Sequence, residues 1–107
     1  MSLNELRDEI HTVACEKGWW DEPRSPLDCH MLMVSEIAEA TECVRENKPY
    51  EYRNEDGKPE GEAVELIDAV IRILDYAGHM KWDVDRMMRE KIEYNKTRPY
   101  RHGGKSK

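Results

Sequence analysis

The sequence contains no phenylalanine, so three tryptophans and five tyrosines supply all of its aromatic surface. It has only three cysteines, Cys15, Cys29 and Cys43, and no two of them are spaced as Cys-x-x-Cys. This odd number and wide spacing argue against a disulfide framework and against a zinc site built on cysteine. The four histidines show no metal-ligand spacing either. We therefore expect the cysteines to be small, buried apolar residues.

Long apolar runs are also absent from the sequence. No segment approaches the roughly 20 apolar residues that cross a bilayer, and the N-terminus has neither the basic nor the apolar part of a signal peptide. We therefore expect a cytoplasmic protein that makes no contact with a membrane. The net charge of −6 argues against a general nucleic-acid-binding protein. The C-terminal segment is nevertheless basic and contains no acidic residue: Lys96, Arg98, Arg101, Lys105 and Lys107.

The length of 107 residues, with 38% hydrophobic and 37% charged residues, fits a single all-α domain of amphipathic helices over residues 1–107. Apolar residues at helical spacing predict four helices, over about 3–16, 27–46, 62–78 and 84–97. Asn4 is the predicted cap of the first helix, and Gly78 is placed to end the third. Residues 47–61 are predicted to form a loop, and a basic tail begins at about residue 99. We expect an antiparallel helical bundle that oligomerisation completes.

The third predicted helix is hydrophobic around nearly its whole circumference, which is typical of a buried helix. One charged stripe interrupts it at intervals of three, four and three residues: Glu65, Asp68, Arg72 and Asp75. Unpaired carboxylates are unfavourable in a buried position. Arg72 can pair with Asp68 or Asp75, whereas Glu65 needs a bound cation or a basic segment from elsewhere in the chain.

Two of the predicted helices each carry a pair of acidic residues at i, i+3, which places both side chains on one helix face. Glu36 and Glu39 form the pair in the second helix, and Glu65 and Asp68 form the pair in the third. Packing the two faces together brings four negative charges to one place, which requires cations. Carboxylates without histidine or cysteine suit Mg²⁺ or Mn²⁺ rather than zinc, and the absence of Glu-x-x-His argues against a di-iron site.

The fourth predicted helix has a stripe that changes from apolar to basic along its length: Val84, Met88, Lys91, Asn95 and Arg98. Because protein-bound Mg²⁺ usually shares its ligand shell with substrate phosphates, Lys91, Asn95 and Arg98 are candidate phosphate-binding residues. The alternative is that Lys91 and Arg98 simply extend into water.

Trp19 and Trp20 are adjacent in a segment that a glycine and two prolines keep from being regular helix. Together they can form an aromatic wall for base binding, where stacking is worth roughly 1–3 kcal/mol per base. In the alternative interpretation, one tryptophan anchors the loop on the core and the other is a partly exposed lid.

Two segments resemble a known family. Residues 35–40, SEIAEA, and residues 64–70, VELIDAV, resemble the Glu-x-x-Glu and Glu-x-x-Asp signature of the all-α nucleoside triphosphate pyrophosphatases, specifically their MazG-like branch. Residues 90–100, EKIEYNKTRPY, are similar to the end of many small MazG-like proteins. The resemblance covers about residues 15–104 and leaves the substrate base open.

The resemblance implies hydrolysis of a (deoxy)nucleoside triphosphate to the monophosphate and pyrophosphate, in nucleotide-pool house-cleaning, by a homodimer or homotetramer. It also implies phosphate contacts from Lys91 and Asn95. We expect Glu39 to be the catalytic residue that deprotonates the attacking water. The implied cofactor is Mg²⁺, with Mn²⁺ as a substitute, held by four carboxylates: Glu36, Glu39, Glu65 and Asp68.

Two alternative interpretations place the protein in other functional classes. The chain can be a non-catalytic helical interaction module, in which the acidic stripes meet basic residues of a partner and the cationic tail contacts nucleic acid. It can also be a catalytically silent relative that binds a nucleotide and acts as a sensor. Stabilisation by Mg²⁺ separates a metal site from the interaction module, and turnover separates an enzyme from a sensor.

Overall fold

The computed structural model describes residues 1–101 and confirms the predicted all-α fold. Four helices and one small hairpin follow the chain in this order: α1 (Leu3–Glu16), α2 (Pro26–Arg45), β1 (Tyr52–Arg53), β2 (Pro59–Glu60), α3 (Glu62–Met80) and α4 (Val84–Lys96). Over this described range, no helix combines the length and the apolar character that crossing a membrane requires. The C-terminal part of the predicted basic tail, with Lys105 and Lys107, lies outside the described residues.

The first two helices begin at side-chain caps. The Ser2 hydroxyl accepts a hydrogen bond from the Glu5 amide at 3.0 Å, and the Glu5 carboxylate accepts one from the Ser2 amide at 2.7 Å, which together form a capping box. The prediction of Asn4 as the cap of α1 is therefore wrong, because Ser2 satisfies the first helical amides. Ser25 caps α2 by accepting from the Asp28 amide at 3.1 Å.

The helix α3 continues past Gly78 to Met80, so the prediction that Gly78 ends it is wrong. The helix ends instead at Lys81, which adopts the left-handed conformation with φ of 60°. Gly78 has a packing role, since a Cβ atom at this position would lie 2.7 Å from Cβ of His11 in α1. The missing side chain therefore allows α1 to approach α3 closely.

Residues 47–61 are more ordered than the predicted loop, because they contain an antiparallel hairpin. Its register pairs Tyr52 with Glu60 and Arg53 with Pro59. The Asn54 side-chain oxygen closes the turn by accepting hydrogen bonds from two turn amides at 2.8 and 3.0 Å. The hairpin leads directly into α3 and fixes where that helix begins.

The helix α3 is the centre of the fold, and α2 packs against it in the antiparallel direction. An early residue of α2, His30, has its ring centroid 5.6 Å from that of Tyr76, which is late in α3. Further along α2, Glu36 contacts Arg72, which comes earlier in α3. The interior contains small residues and two large ones, and its buried apolar members are Cys29, Ala40, Ala69, Leu74, Tyr76 and Ala77.

The helix α1 also runs antiparallel to α3. His11 contacts Asp75, and Arg7, one turn earlier in α1, donates to the carbonyl of Trp82 beyond the end of α3.

We expected all three cysteines to be buried, but only Cys29 is buried; Cys43 is half-buried and Cys15 is exposed. The prediction is therefore wrong for Cys15, which is exposed in the last turn of α1.

The helix α4 is attached to α1 by reciprocal capping. The Asn4 side-chain oxygen accepts a hydrogen bond from the Val84 amide at 2.8 Å, and the Asp85 carboxylate accepts from the amides of Leu3 and Asn4 at 3.0 and 3.2 Å. No residue of α4 is buried. Its apolar-to-basic stripe therefore does not face a core within the chain.

The apolar surface of α3 is only partly covered by the rest of the chain. Five of its large aliphatic side chains are 39–56% exposed: Leu66, Ile67, Val70, Ile71 and Ile73. The prediction of a helix buried on nearly all sides is therefore wrong for the single chain. The reason is that α1 and α2 cover two sides of α3, and neither the hairpin nor α4 covers the remaining one.

Candidate metal centre

Three of the four predicted metal ligands form one cluster between α2 and α3. Glu36, Glu65 and Asp68 each offer a carboxylate oxygen, and these oxygens lie within 4.8 Å of one another. The antiparallel packing of the two helices brings the i, i+3 pair of α3 opposite Glu36, whose exposed fraction is only 7%. All of these ligands are oxygen atoms, which is the donor set that Mg²⁺ and Mn²⁺ prefer.

The electrostatics of the cluster are those of crowded carboxylates. Burial is the largest cause that raises the pKa of Glu65, followed by its hydrogen bond with Asp68, and the pKa reaches about 7. The negative charges of Glu39, Asp68 and Glu36 add to this effect. At neutral pH, Glu65 therefore holds a proton part of the time, and a bound cation would have to displace that proton.

Arg72 supplies a cation to the cluster from within the chain. Its Nε atom donates to Oε2 of Glu36 at 2.6 Å. The prediction that Arg72 pairs with Asp68 or Asp75 is therefore wrong, because the guanidinium points across to α2 rather than along α3. This leaves Glu65 hydrogen-bonded to Asp68 on the same face of α3.

Glu39, the predicted catalytic residue, lies at the edge of the cluster. Its side chain is exposed, and it does not belong to the group of three carboxylates whose oxygens lie within 4.8 Å. It is close enough for its charge to raise the pKa of Glu65. Glu39 thus faces solvent next to the three clustered carboxylates.

A cavity of about 440 Å³ opens beside the cluster, between α1 and α3. Glu36, Asp68 and Arg72 line one part of it, and Val13, Ile71 and Trp19 provide apolar surface. This volume is in the range of small-molecule sites. Six further residues line the cavity: Glu9, Ile10, Ala14, Lys17, Arg24 and Asp75.

The two adjacent tryptophans have different surroundings. Trp19 is 54% exposed and lines the cavity. Trp20 is half-buried, with its ring stacked on His79 at a centroid distance of 4.1 Å and its Nε1 donating to both oxygens of Asp75 at 2.9 and 3.1 Å. Trp20 therefore anchors the loop, whereas Trp19 remains about half exposed, with the Arg72 guanidinium 5.8 Å from its ring centroid.

Two cations that we did not single out in the sequence lie at this cavity. The Arg24 guanidinium lies 5.0 Å from the Trp20 ring centroid and 5.8 Å from that of Trp19, and Lys17 follows the end of α1. Arg24 lies in the proline-rich loop and Lys17 next to a glycine, where residue spacing carries no information about what they face. Only the folded arrangement brings them to the cavity.

The predicted phosphate-binding residues of α4 do not line this cavity within the chain. Nζ of Lys91 lies 5.0 Å from the Tyr94 ring centroid, and Cζ of Arg98 lies 5.7 Å from the same centroid. Asn95 is exposed. In the single chain, Lys91 and Arg98 thus lie over an aromatic ring on the surface of α4.

No protein-family model, curated protein or solved structure matches the chain.

Proposed function

We propose that this protein is a Mg²⁺-dependent nucleoside triphosphate pyrophosphohydrolase of the MazG-like type, which releases a (deoxy)nucleoside monophosphate and pyrophosphate. The observation that supports this most directly is the cluster of Glu36, Glu65 and Asp68 at the edge of a cavity that also contains Trp19. The carboxylates suit a divalent cation, and the aromatic ring suits a base. A nucleotide is the ligand class that needs both at a short distance from each other.

In this proposal, the residues of the cluster and its surroundings have different roles. Glu36, Glu65 and Asp68 would hold Mg²⁺, or Mn²⁺ in its place, and the chemistry that the ion supplies when bound is neutralisation of charge on the phosphates. Glu39, which is exposed beside them, would orient the attacking water and take its proton. Trp19 would stack on the base, and Trp20 holds the loop that presents Trp19.

We also propose that a second copy of the chain completes the site. The exposed aliphatic side chains of α3 include Ile67, Val70 and Ile73, which form an apolar surface beside the acidic cluster. Lys91 and Asn95 are exposed on α4, and Arg98 is half-buried just beyond its end. None of the three lines the cavity of its own chain, so they would contact phosphate across such an interface. A homodimer or homotetramer in the cytoplasm, acting in nucleotide-pool house-cleaning, is the assembly that we propose.

The test is release of monophosphate and pyrophosphate from a panel of canonical and modified nucleoside triphosphates, with Mg²⁺ or with EDTA. We expect metal-dependent release by the wild type, loss of it in Glu65→Gln and in Asp68→Asn, and normal release in the matched control Glu42→Gln, an exposed acid on α2. If no nucleotide is hydrolysed but Mg²⁺ and a nucleotide raise the melting temperature, the protein is a nucleotide sensor rather than an enzyme. If neither ligand has an effect, the interaction module is favoured.

A further inference from the structure

A second cluster of titratable side chains lies between α1 and α3 and shares no residue with the proposed metal ligands. Nδ1 of His11 lies 2.7 Å from Oδ1 of Asp75, and Nε2 of the same ring lies 3.5 Å from Sγ of Cys15. A carboxylate only accepts hydrogen bonds, so Nδ1 carries the proton and Nε2 is the acceptor that faces the thiol. The three groups thus have the order of nucleophile, base and orienting acid that is used in cysteine nucleophile sites.

The imidazole of this cluster is held in place from several sides. Asp75 is itself oriented by Trp20, whose Nε1 donates to both carboxylate oxygens at 2.9 and 3.1 Å. The Trp20 ring meets the His11 ring edge-on at a centroid distance of 5.6 Å and stacks on His79 at an interplanar angle of 11°. Gly78 contributes by leaving room for Cβ of His11. The tautomer and direction of His11 are therefore set by the packing of α1 on α3.

Cys15 is the accessible member of the three cysteines. It is exposed, whereas Cys29 is buried and Cys43 is half-buried. Burial, followed by the negative charge of Glu65, raises the pKa of the Cys43 thiol, which makes Cys43 a poor nucleophile. A reagent that enters from solvent therefore meets Cys15 first, and the other two thiols serve as internal references.

The position of Cys15 along the helix makes its activation depend on His11. Cys15 lies in the last turn of α1, where the partial negative charge of the helix end disfavours a thiolate. The charged and titratable groups that face His11 are Asp75 and His79 of α3, the latter at 6.1 Å between ring centroids, and Cys15 on its own helix. Trp20 packs on the ring from the loop and carries no charge.

We propose that Cys15 is a modification site for low-molecular-weight disulfides of the glutathione type, with His11 as its base and Asp75 as a positioning residue. The thiol proton passes to Nε2 of His11, and the thiolate attacks one sulfur of the small disulfide. The new bond joins Cys15 to that sulfur while the bond of the small disulfide breaks. The departing thiolate takes the proton from His11, so the products are a mixed disulfide and one small thiol.

The test is the rate of site-resolved modification of the full-length protein by dithiodipyridine, an uncharged disulfide, and by glutathione disulfide, followed by mass spectrometry over a range of pH. We expect Cys15 to react first and faster than an unactivated exposed thiol, by about threefold to tenfold at neutral pH. His11→Gln should remove this advantage and return the pH profile to that of a simple thiol. His30→Gln, which changes an exposed histidine on α2, is the matched control.

Asp75→Asn tests the positioning role, since it keeps the shape of the side chain but changes the tautomer of His11. We expect the pH profile of its Cys15 modification rate to resemble that of His11→Gln. If this variant does not fold, the pH profile of the wild type still decides. A wild-type Cys15 that reacts like an ordinary thiol, or a His11→Gln variant with an unchanged profile, would overturn the proposal.

Discussion

The Nε atom of Arg72 lies 2.6 Å from Oε2 of Glu36, so the most buried carboxylate of the candidate metal centre is paired with a cation of the same chain. Replacing Arg72 by Met leaves Glu36 without this partner, and loss of one partner of a buried pair costs about 3–5 kcal/mol. Because Arg72 is itself partly exposed, we expect the lower end of that range. Thermal unfolding without metal should show a clearly lower melting temperature for Arg72→Met.

The same substitution makes a prediction about metal. A divalent cation at the cluster would supply the charge that Arg72 no longer provides, so Mn²⁺ should raise the melting temperature of Arg72→Met more than that of the wild type. Arg89→Met is the control, because the ion pair of Arg89 within the described residues is with the exposed Glu93 on α4, at 3.5 Å. Equal metal-induced shifts in the two variants would argue that no cation binds next to Glu36.

Glu65 should make the stability of the protein depend on pH. Its pKa is about 7 in the folded chain, above the ordinary value of 4.5. Between pH 4.5 and about 7, the folded state therefore keeps a proton on Glu65 that the unfolded state has lost. The contribution of Glu65 to the free energy of unfolding is therefore fully present below about 4.5 and is lost as the pH rises to about 7. We expect metal-free Glu65→Gln to gain stability relative to the wild type over this interval.

The measurement is the difference in melting temperature between Glu65→Gln and the wild type on either side of this pH interval, with EDTA present. Glu42→Gln, on the exposed surface of α2, should show no such change. The same protonation predicts that Mn²⁺ binds more tightly as the pH rises through about 7, since the ion competes with the proton. A pH-independent difference would contradict the assignment of the proton to Glu65.

Substitutions of Trp19 and Trp20 should have different effects, the first on nucleotide binding and the second on stability. Removing an aromatic stacking partner costs roughly 1–3 kcal/mol per base, so Trp19→Ala should raise the nucleotide Kd or KM by about fivefold to a hundredfold or more. Its melting temperature should hardly change, because the side chain is half exposed. Trp20→Ala should instead lower the melting temperature, since it removes the donor to Asp75 and the stacking on His79. Calorimetric titration and thermal unfolding of both variants check this.

Gly78→Ala should destabilise the chain by about 1–3 kcal/mol, although alanine is the better helix former. The reason is the new Cβ, which would lie 2.7 Å from Cβ of His11 and force α1 away from α3. Urea unfolding measures the effect. Thr12→Ala, at an exposed position of α1, is the control and should leave the stability nearly unchanged. A neutral Gly78→Ala would mean that α1 does not pack against α3 as closely as described.

Ile67→Glu tests the proposed interface. Ile67 is more than half exposed in the single chain, so a glutamate there costs little in a monomer but a great deal inside an apolar interface. We expect the circular dichroism spectrum to remain helical while sedimentation shifts to the mass of one chain. Lys81→Glu, an exposed change outside this surface, should leave the assembly intact. A wild type that sediments as a monomer would remove the proposal of a second copy.

The catalytic consequence of that interface concerns α4. If Lys91 and Arg98 reach the phosphates of a neighbouring copy, Lys91→Ala and Ile67→Glu should both lower kcat/KM. Mixing Lys91→Ala with Glu65→Gln should restore part of the activity, because one site of the mixed assembly then has an intact acidic cluster from one copy and Lys91 from the other. Full activity in Lys91→Ala would place the phosphate contacts on Arg24 and Lys17 of the cavity instead.

Residue spacing was sufficient to predict the helical fold and the positions of the acidic pairs. Hydrophobic spacing places the helices within a few residues of their observed bounds, because an amphipathic pattern depends only on local geometry. The i, i+3 spacing likewise places Glu65 and Asp68 on one face of α3, and Glu36 and Glu39 on one face of α2. These features follow from the helix repeat and need no knowledge of the packing.

The contacts between side chains of different helices could not be predicted from residue spacing. The choice of Arg72 for Glu36 rather than Asp68, the close approach of Gly78 to His11, and the separation of Trp19 from Trp20 depend on the angle and register at which helices meet. The exposure of much of the apolar surface of α3 belongs here too, because an apolar stripe has the same sequence pattern whether its own chain or another covers it. Local periodicity specifies a face, and packing specifies its neighbour.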